Sequence, residues 1–370
     1  MLIEKTNIKS LYSFINKKEI FKRIHRQFKF CLIVFIKGGH TDKFLAGFYL
    51  EDISILQGEI VKIAYDYDVK HIQTMSPNSL SFVECKNKSE FEIFKKLYRY
   101  PLLGSDEWDF DATAEFHMTN DSKLFHTKNV GYPLYEGKMI NMFTHIFAKP
   151  RYWIDEKEGT DVLKKKELNR MKRINKNHNV LPQIDVQYYR LVWRDITNAI
   201  DRRTLISTII SPKIFLGNTL SYIRPTHFDG KKYIYSLSNA ETLFLCGIFN
   251  SFPIAFILRH RVNLHVSIFH LLELPIPHYN KNNVIHKQIM TNTAKLICTT
   301  DEYSDLRKDV GVSEPVVKPE ERLKLEAQIN ALSTRIYNLT KEEINFILKY
   351  FQVEDEKLKE LTLNEFLLLK

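Results

Sequence analysis

Residues 183–211 read QIDVQYYRLVWRDITNAIDRRTLISTIIS. Two runs rich in β-branched and aromatic residues, 183–194 and 203–211, read as strands, and the polar DITNAID between them reads as their connection. Just upstream, residues 161–176 read DVLKKKELNRMKRINK. That spacing puts Leu163, Leu168, Met171 and Ile174 on one helical stripe. Lys164, Lys165, Lys166, Arg170, Lys172, Arg173 and Lys176 fall on the other faces. The middle of the chain is therefore expected to be a β-rich core with a basic helix laid beside it.

Toward the N-terminus, residues 28–36 (FKFCLIVFI) are dense in apolar residues without alternation, the pattern of a fully buried strand. Lys37-Gly38-Gly39 marks a turn, Phe44 to Leu50 reads as the partner strand, and residues 8–15 suggest another. Ser89 to Tyr98 carries Phe91, Phe94, Leu97 and Tyr98 at helical spacing, closed by Pro101. Toward the C-terminus, Ser238 and Glu241 form a capping box opening a helix over 240–250. Pro275-Ile276-Pro277 breaks the chain, and helices are expected over 282–300 and 319–337, the second with Leu325, Ile329, Leu332 and Ile336 on one face. Thr340 with Glu343 and Thr362 with Glu365 read as two further caps. The stretch 301–318 reads as a polar, proline-bearing linker. The fold class is α+β, with divisions expected at 1–107, 108–280 and a helical 281–370.

At 370 residues, 44% apolar and 26% charged, the chain has the composition of a folded protein of two or three modest domains. Its 4 cysteines show no paired spacing, which disfavours a zinc site or a disulfide scaffold and fits a reducing cytoplasm. No signal core opens the sequence. The longest nearly apolar run, Phe244 to Leu258, is shorter than a membrane span and reads as buried core, so a soluble cytoplasmic protein with no membrane partner is expected. The net charge of +10 is concentrated in residues 1–300 while residues 301–370 are mildly acidic. A basic body suits a polyanion partner, because each phosphate neutralised releases a counterion.

Catalytic signatures are scarce. Neither GxGxxG nor GxxxxGK[ST] occurs among only 12 glycines. The Asn-Pro-Pro-aromatic loop by which an adenine methyltransferase holds its flipped base is absent too. Asp68 with Glu84-Cys85-Lys86, or Asp121-Ser122-Lys123, can be forced into a nuclease pattern, but such matches arise by chance in any charged chain. The 13 histidines show no metal-ligand spacing. No catalytic residue, metal ligand or cofactor-binding residue is assigned to this chain.

Several longer strings carry a resemblance. Phe28-Lys-Phe-Cys-Leu32 with its glycine turn, Met75-Ser-Pro-Asn78 and Leu97-Tyr-Arg-Tyr-Pro101 come first. His117-Met-Thr-Asn-Asp-Ser-Lys-Leu-Phe125 and Pro133-Leu-Tyr-Glu-Gly-Lys-Met-Ile140 are the most specific. Tyr152-Trp153, Arg194-Asp-Ile-Thr197, Arg202-Arg-Thr204, Phe249-Asn-Ser-Phe252, Arg259 and Leu274-Pro-Ile-Pro277 follow in order. The tail, Ala327 to Asn330 and Tyr337 to Thr340, continues the series. Together they resemble the C-terminal half of type IIG-like (BREX- and DISARM-type) adenine-specific DNA methyltransferases, with a TaqI-like target-recognition domain. The chain departs from that pattern at Thr144-His145, where relatives tend to carry Asp-His-Arg, and over 259–265, which lacks the usual glycines.

The resemblance implies that residues 1–107 are the distal strands of a methyltransferase sheet and that 108–280 recognise DNA. It also implies that catalysis and S-adenosylmethionine binding lie on a partner, a methyltransferase catalytic subunit encoded upstream, of a restriction–modification or phage-defence system. The strands at 28–36 and 44–50 would complete that partner's sheet. This chain by itself is then not an enzyme, and an inactive gene fragment or a general nucleic-acid-binding protein are the alternatives. Phosphate contacts are expected from Lys138, Lys164, Lys165, Lys166, Arg170, Lys172 and Arg173. Base reading is expected from Arg190, Arg194, Asn198, Arg202 and Arg203, because arginine pairs bidentately with guanine and asparagine with adenine. The same lysines also fit an ordinary solvated helix face, and Arg194 could simply pair with Asp195 or Asp201.

Overall fold

The computed structural model describes residues 2–77, 79–109, 111–177, 179–197, 202–262 and 264–369. The chain forms two compact units, Met1–Tyr100 and Pro101–Lys370, and is of mixed α+β class. The 281–370 helices belong to the second unit rather than standing apart.

The first unit is built on four strands: β1 (Thr6–Ile15), β2 (Lys29–Lys37), β3 (Lys43–Leu50) and β4 (Tyr65–Asp68). Their order is β2-β1-β3-β4, with β1 antiparallel to β2 and parallel to β3. The apolar run at 28–36 is thus a strand, but neither fully buried nor paired with 44–50. It lies at the sheet edge, with Val34, Phe35 and Ile36 exposed. The central place goes to β1, whose Ile8, Leu11 and Phe14 are buried. Apolar density shows that a segment wants a strand; which strand it pairs with is a long-range choice that the local sequence does not encode. The helix Lys88–Leu97 is capped by the Asn87 side chain, which accepts the Glu90 amide at 3.0 Å. It buries Phe91 against Tyr67, ring centroids 4.7 Å apart.

The second unit carries β5 (Ala112–Thr113), β6 (Tyr132–Tyr135), β7 (Tyr152–Ile154), β8 (Arg190–Arg194), β9 (Ser207–Ile210), β10 (Phe215–Leu216), β11 (Leu220–Ile223), β12 (Thr226–Phe228) and β13 (Tyr233–Tyr235). One sheet runs β5-β11-β8-β9, a second β10-β6-β7, and β12-β13 is a hairpin. The two strands expected from residues 183–211 are therefore present as β8 and β9, antiparallel with Arg190 opposite Ile210.

Helices cover the other side. Asn239–Phe249 packs on Val284–Ile297, which packs on Pro319–Ile336, which packs on Glu356–Leu368. Gly247 permits the first of these contacts, since a Cβ there would fall 2.6 Å from Ile289. The Ser238–Glu241 and Thr340–Glu343 capping boxes are both formed. Every residue from Phe244 to Leu258 is buried, and among the described residues no single helix is long and apolar enough to cross a membrane. Asn250 joins helix to sheet by accepting the Ser207 amide and donating to its carbonyl, both at 3.0 Å.

Two expectations fail here. Thr362 caps nothing: it is buried inside the Glu356–Leu368 helix, with its hydroxyl donating to the Leu358 carbonyl, and Asp355 makes the cap. The 301–318 stretch is no plain linker, for it contains the helix Ser304–Asp309 and the buried Tyr303, whose hydroxyl donates to Ile209 in β9 at 2.8 Å.

Candidate nucleic-acid interface

The basic helix spans Glu156–Ile174 and starts at Asp155, whose carboxylate accepts the amides of Lys157 and Glu158. Its buried face is Gly159, Leu163, Glu167 and Met171. Leu163 packs in a cluster with Phe116, Leu134, Ile154 and Phe215, so the helix lies on the β10-β6-β7 sheet. Gly159 allows the close approach, because a Cβ would meet the Phe215 ring at 2.5 Å. The expected stripe is corrected in two places: Ile174 is exposed and Leu168 only half-buried. Their place is taken by Glu167, a buried carboxylate 3.0 Å from the Arg224 guanidinium.

The helix's cations divide into two groups. Lys166 donates to the Glu115 carbonyl at 2.6 Å and lies 3.2 Å from Asp121; Arg170 donates to Asp111 at 2.9 Å and Thr113 at 3.1 Å. These two fasten the helix to the segment before β6. Lys164, Lys165, Lys172 and Arg173 are exposed and make no salt bridge among the described residues. Cations in the last turn also suit the negative end of the helix dipole.

The hairpin adds charge that the sequence reading overlooked. Between β12 and β13, Asp229 turns the chain by accepting the amides of Lys231 at 2.7 Å and Lys232 at 2.8 Å, with Gly230 at φ +99. The Lys232 and Lys231 N–H groups hold the Asp229 carboxyl below its ordinary value. Both lysine side chains are exposed. Asn175, at the end of the basic helix, donates to the Gly230 carbonyl at 2.8 Å. The last turn of the helix and the hairpin turn therefore present Lys172, Arg173, Lys176, Lys231 and Lys232 on adjoining surfaces. The signal that could have found the hairpin is the Asp-Gly pair between two short apolar runs.

The arginines expected to read bases are mostly structural. Arg190 is wholly buried, 2.5 Å from Glu115, whose other oxygen accepts the Leu216 amide at 2.8 Å. Burial pushes the Glu115 carboxyl up, against the pull of Arg190. Arg203 is buried too, paired with Glu354 and lying 3.7 Å from the centre of the Phe252 ring. Burial pushes its guanidinium well down. Neither reaches a surface, so neither can read a base edge from this position. Arg194 is half-buried and donates to the Ile140 carbonyl, while Arg202 is partly exposed and held by Glu354 and Glu326. Asn198 and Asp201 lie outside the described residues. Lys138 is exposed with its ammonium 3.7 Å from Glu136, but Gly137 is buried and its amide donates to Thr219 at 2.9 Å, so that backbone is already engaged.

The nuclease patterns do not assemble. Asp68 caps a helix through the Lys70 amide at 2.8 Å, Glu84 pairs with Lys29, and Asp121 accepts the His117 amide at 2.7 Å. Among the described residues no cluster of histidine, cysteine or carboxylate side chains is placed to hold a metal.

No family model matches this sequence, and no curated protein matches it. Among solved structures, the chain is similar to a type IIL restriction-modification enzyme, MmeI, in complex with DNA. The identity is 11% and the TM-score 0.40, over 96% of this chain and 46% of that one. The chain thus spans less than half the length of that enzyme.

Proposed function

We propose that this protein binds double-stranded DNA and supplies target recognition to an adenine-specific DNA methyltransferase of a restriction–modification or phage-defence system. Catalysis and S-adenosylmethionine binding belong, in this reading, to a separate polypeptide. The observation that supports DNA binding is the adjoining set of exposed cations on the helix end and hairpin turn, joined through Asn175 and Gly230. Cations without carboxylate partners are the groups able to exchange counterions for phosphates. Lys164 and Lys165 extend the same helix face, and Lys138 is a further contact if it trades its long pairing with Glu136 for a phosphate. Arg190 and Arg203 drop out of the base-reading set. Arg194 and Asn198, around the β8–β9 connection, remain its members; Arg202, held by Glu354 and Glu326, would have to exchange those carboxylates for a base. The outer edge of β2 is the surface assigned to the catalytic partner, whose sheet would continue from it.

The test is duplex binding as a function of salt. Lys172→Ala, Arg173→Ala, Lys231→Ala and Lys232→Ala combined should lower the salt dependence by about 3 to 4 log units of affinity per log unit of salt, at about 0.9 per phosphate contact. An unchanged slope would reject this surface. Methyl transfer to DNA only when the upstream gene product is added would support the specificity role; binding alike to all sequences, with no methyl transfer, would favour a general nucleic-acid-binding protein.

A further inference from the structure

A second surface of the Pro101–Lys370 unit is built from aromatic rings. A cleft of about 370 Å³ opens between β8, β11 and the end of the β12-β13 hairpin. Among its lining residues, Leu191 and Ile223 are buried apolar side chains, and Pro212 and Pro225 line it as well. Tyr188 and Tyr235 meet at its mouth edge to face, centroids 6.4 Å apart and planes at 89°. Tyr235 is 74% exposed, a large solvent-facing ring for a residue inside a hairpin.

The walls are held from behind. Tyr189 stacks on Tyr303 at 5.7 Å and donates its hydroxyl to the Glu302 carbonyl at 2.7 Å. The Tyr188 hydroxyl reaches Gln183 at 3.4 Å. The Ser236 amide donates to the Pro225 carbonyl at 2.9 Å and pins the strand that carries Tyr235. The cleft is therefore preformed, with faces for a flat ring and a volume in the range of small-ligand sites.

Its charge decides what kind of ring. Arg224 touches the cleft, but its guanidinium is held by Asp185 at 2.7 Å and Glu167 at 3.0 Å. The exposed side chains of Asp305 and Gln187 also line it. A carboxylate there disfavours a phosphate, whereas a neutral heterocycle with polar edges meets aromatic faces, an amide and a carboxylate. Position adds the last element. Tyr235 lies three residues beyond Lys232, about 10 Å along an extended strand, so nucleic acid whose backbone crosses the hairpin turn passes beside the cleft.

We propose that this cleft receives a single unstacked nucleobase, stacked on the exposed Tyr235 ring with its edge toward Tyr188, from nucleic acid held by the neighbouring lysines. The proposal rests on the DNA-binding reading above. The experiment compares a 20-base-pair duplex with the same duplex carrying one extrahelical 2-aminopurine. The bulged duplex should bind about tenfold more tightly, in line with the strength of base–aromatic stacking, and its fluorescence should be quenched on binding. Tyr188→Ala and Tyr235→Ala should each remove that preference and leave paired-duplex affinity unchanged; Tyr235→Trp should keep it. Tyr235 is exposed enough that its loss does not threaten folding. Equal binding of both duplexes, or a preference that survives both alanine variants, overturns the cleft and leaves DNA binding standing. Failure to bind either duplex at low salt overturns both readings.

Discussion

Asn175 donates its side-chain amide to the carbonyl of Gly230, 2.8 Å away, and so ties the end of the basic helix to a turn 55 residues further along the chain. Asn175→Ala should cost about 1 kcal/mol, the net value of one such bond, seen as a small fall in melting temperature. Duplex affinity should drop severalfold while its salt slope is kept, because every charge remains and only their relative placement loosens. Unaltered affinity would mean that the turn lysines and the helix do not act on one ligand.

Arg203 and Glu354 form a buried pair that fastens the segment before β9 to the C-terminal helices. Removing Glu354 strands the buried Arg203 away from water, whereas removing Arg203 leaves Glu354 its second partner, Arg202. Glu354→Ala should therefore destabilise by about 3 to 5 kcal/mol in denaturant unfolding, and Arg203→Ala by less. The double change Arg203→Met with Glu354→Gln should recover part of that loss, since it leaves no orphan charge. A double variant no more stable than the worse single one would show that packing around Phe252, not charge, sets the cost.

The outer edge of β2 has no partner strand among the described residues, and Val34, Phe35 and Ile36 are 56%, 45% and 56% exposed. An apolar edge of that kind templates pairing with another chain. Val34→Lys with Ile36→Lys should reduce concentration-dependent light scattering of the isolated chain. Little change in melting temperature is expected, since both side chains already face water. Scattering that persists in the double variant would place self-association elsewhere.

Local signals were legible in the sequence and distant pairings were not. The Ser238 and Thr340 boxes are contacts between residues three apart, and both formed. The partners of β2, by contrast, depend on β1 slotting between it and β3. Charge misled in the same way. Arg190 and Lys172 look alike as cations near a strand and on a helix, yet one is sealed against Glu115, 75 residues away, and the other stands in solvent. A carboxylate brought in by the fold decides which cations remain for a ligand. The Thr362 cap failed for a related reason: its capping pattern sits mid-helix, because Asp355 had already opened the helix seven residues earlier.

The histidines give the second unit a pH response. Burial lowers the affinity for a proton of His145, His270 and His286 from the ordinary 6.5. His286 shows why in its contacts: its ring stacks on Phe244, centroids 4.7 Å apart, and its Nδ1 accepts the Asn280 amide at 3.1 Å. A protonated Nδ1 could not accept that bond. Because these groups bind protons more weakly folded than unfolded, the unfolded chain takes up more protons in the window below 6.5. Stability is thus full above the unfolded value and falls as pH drops through that window. The melting temperature should be lower at pH 5 than at pH 7.5, and His286→Gln, which keeps an acceptor but cannot titrate, should shrink the difference. If the variant loses as much stability on acidification as the natural chain, the response lies with His145 and His270.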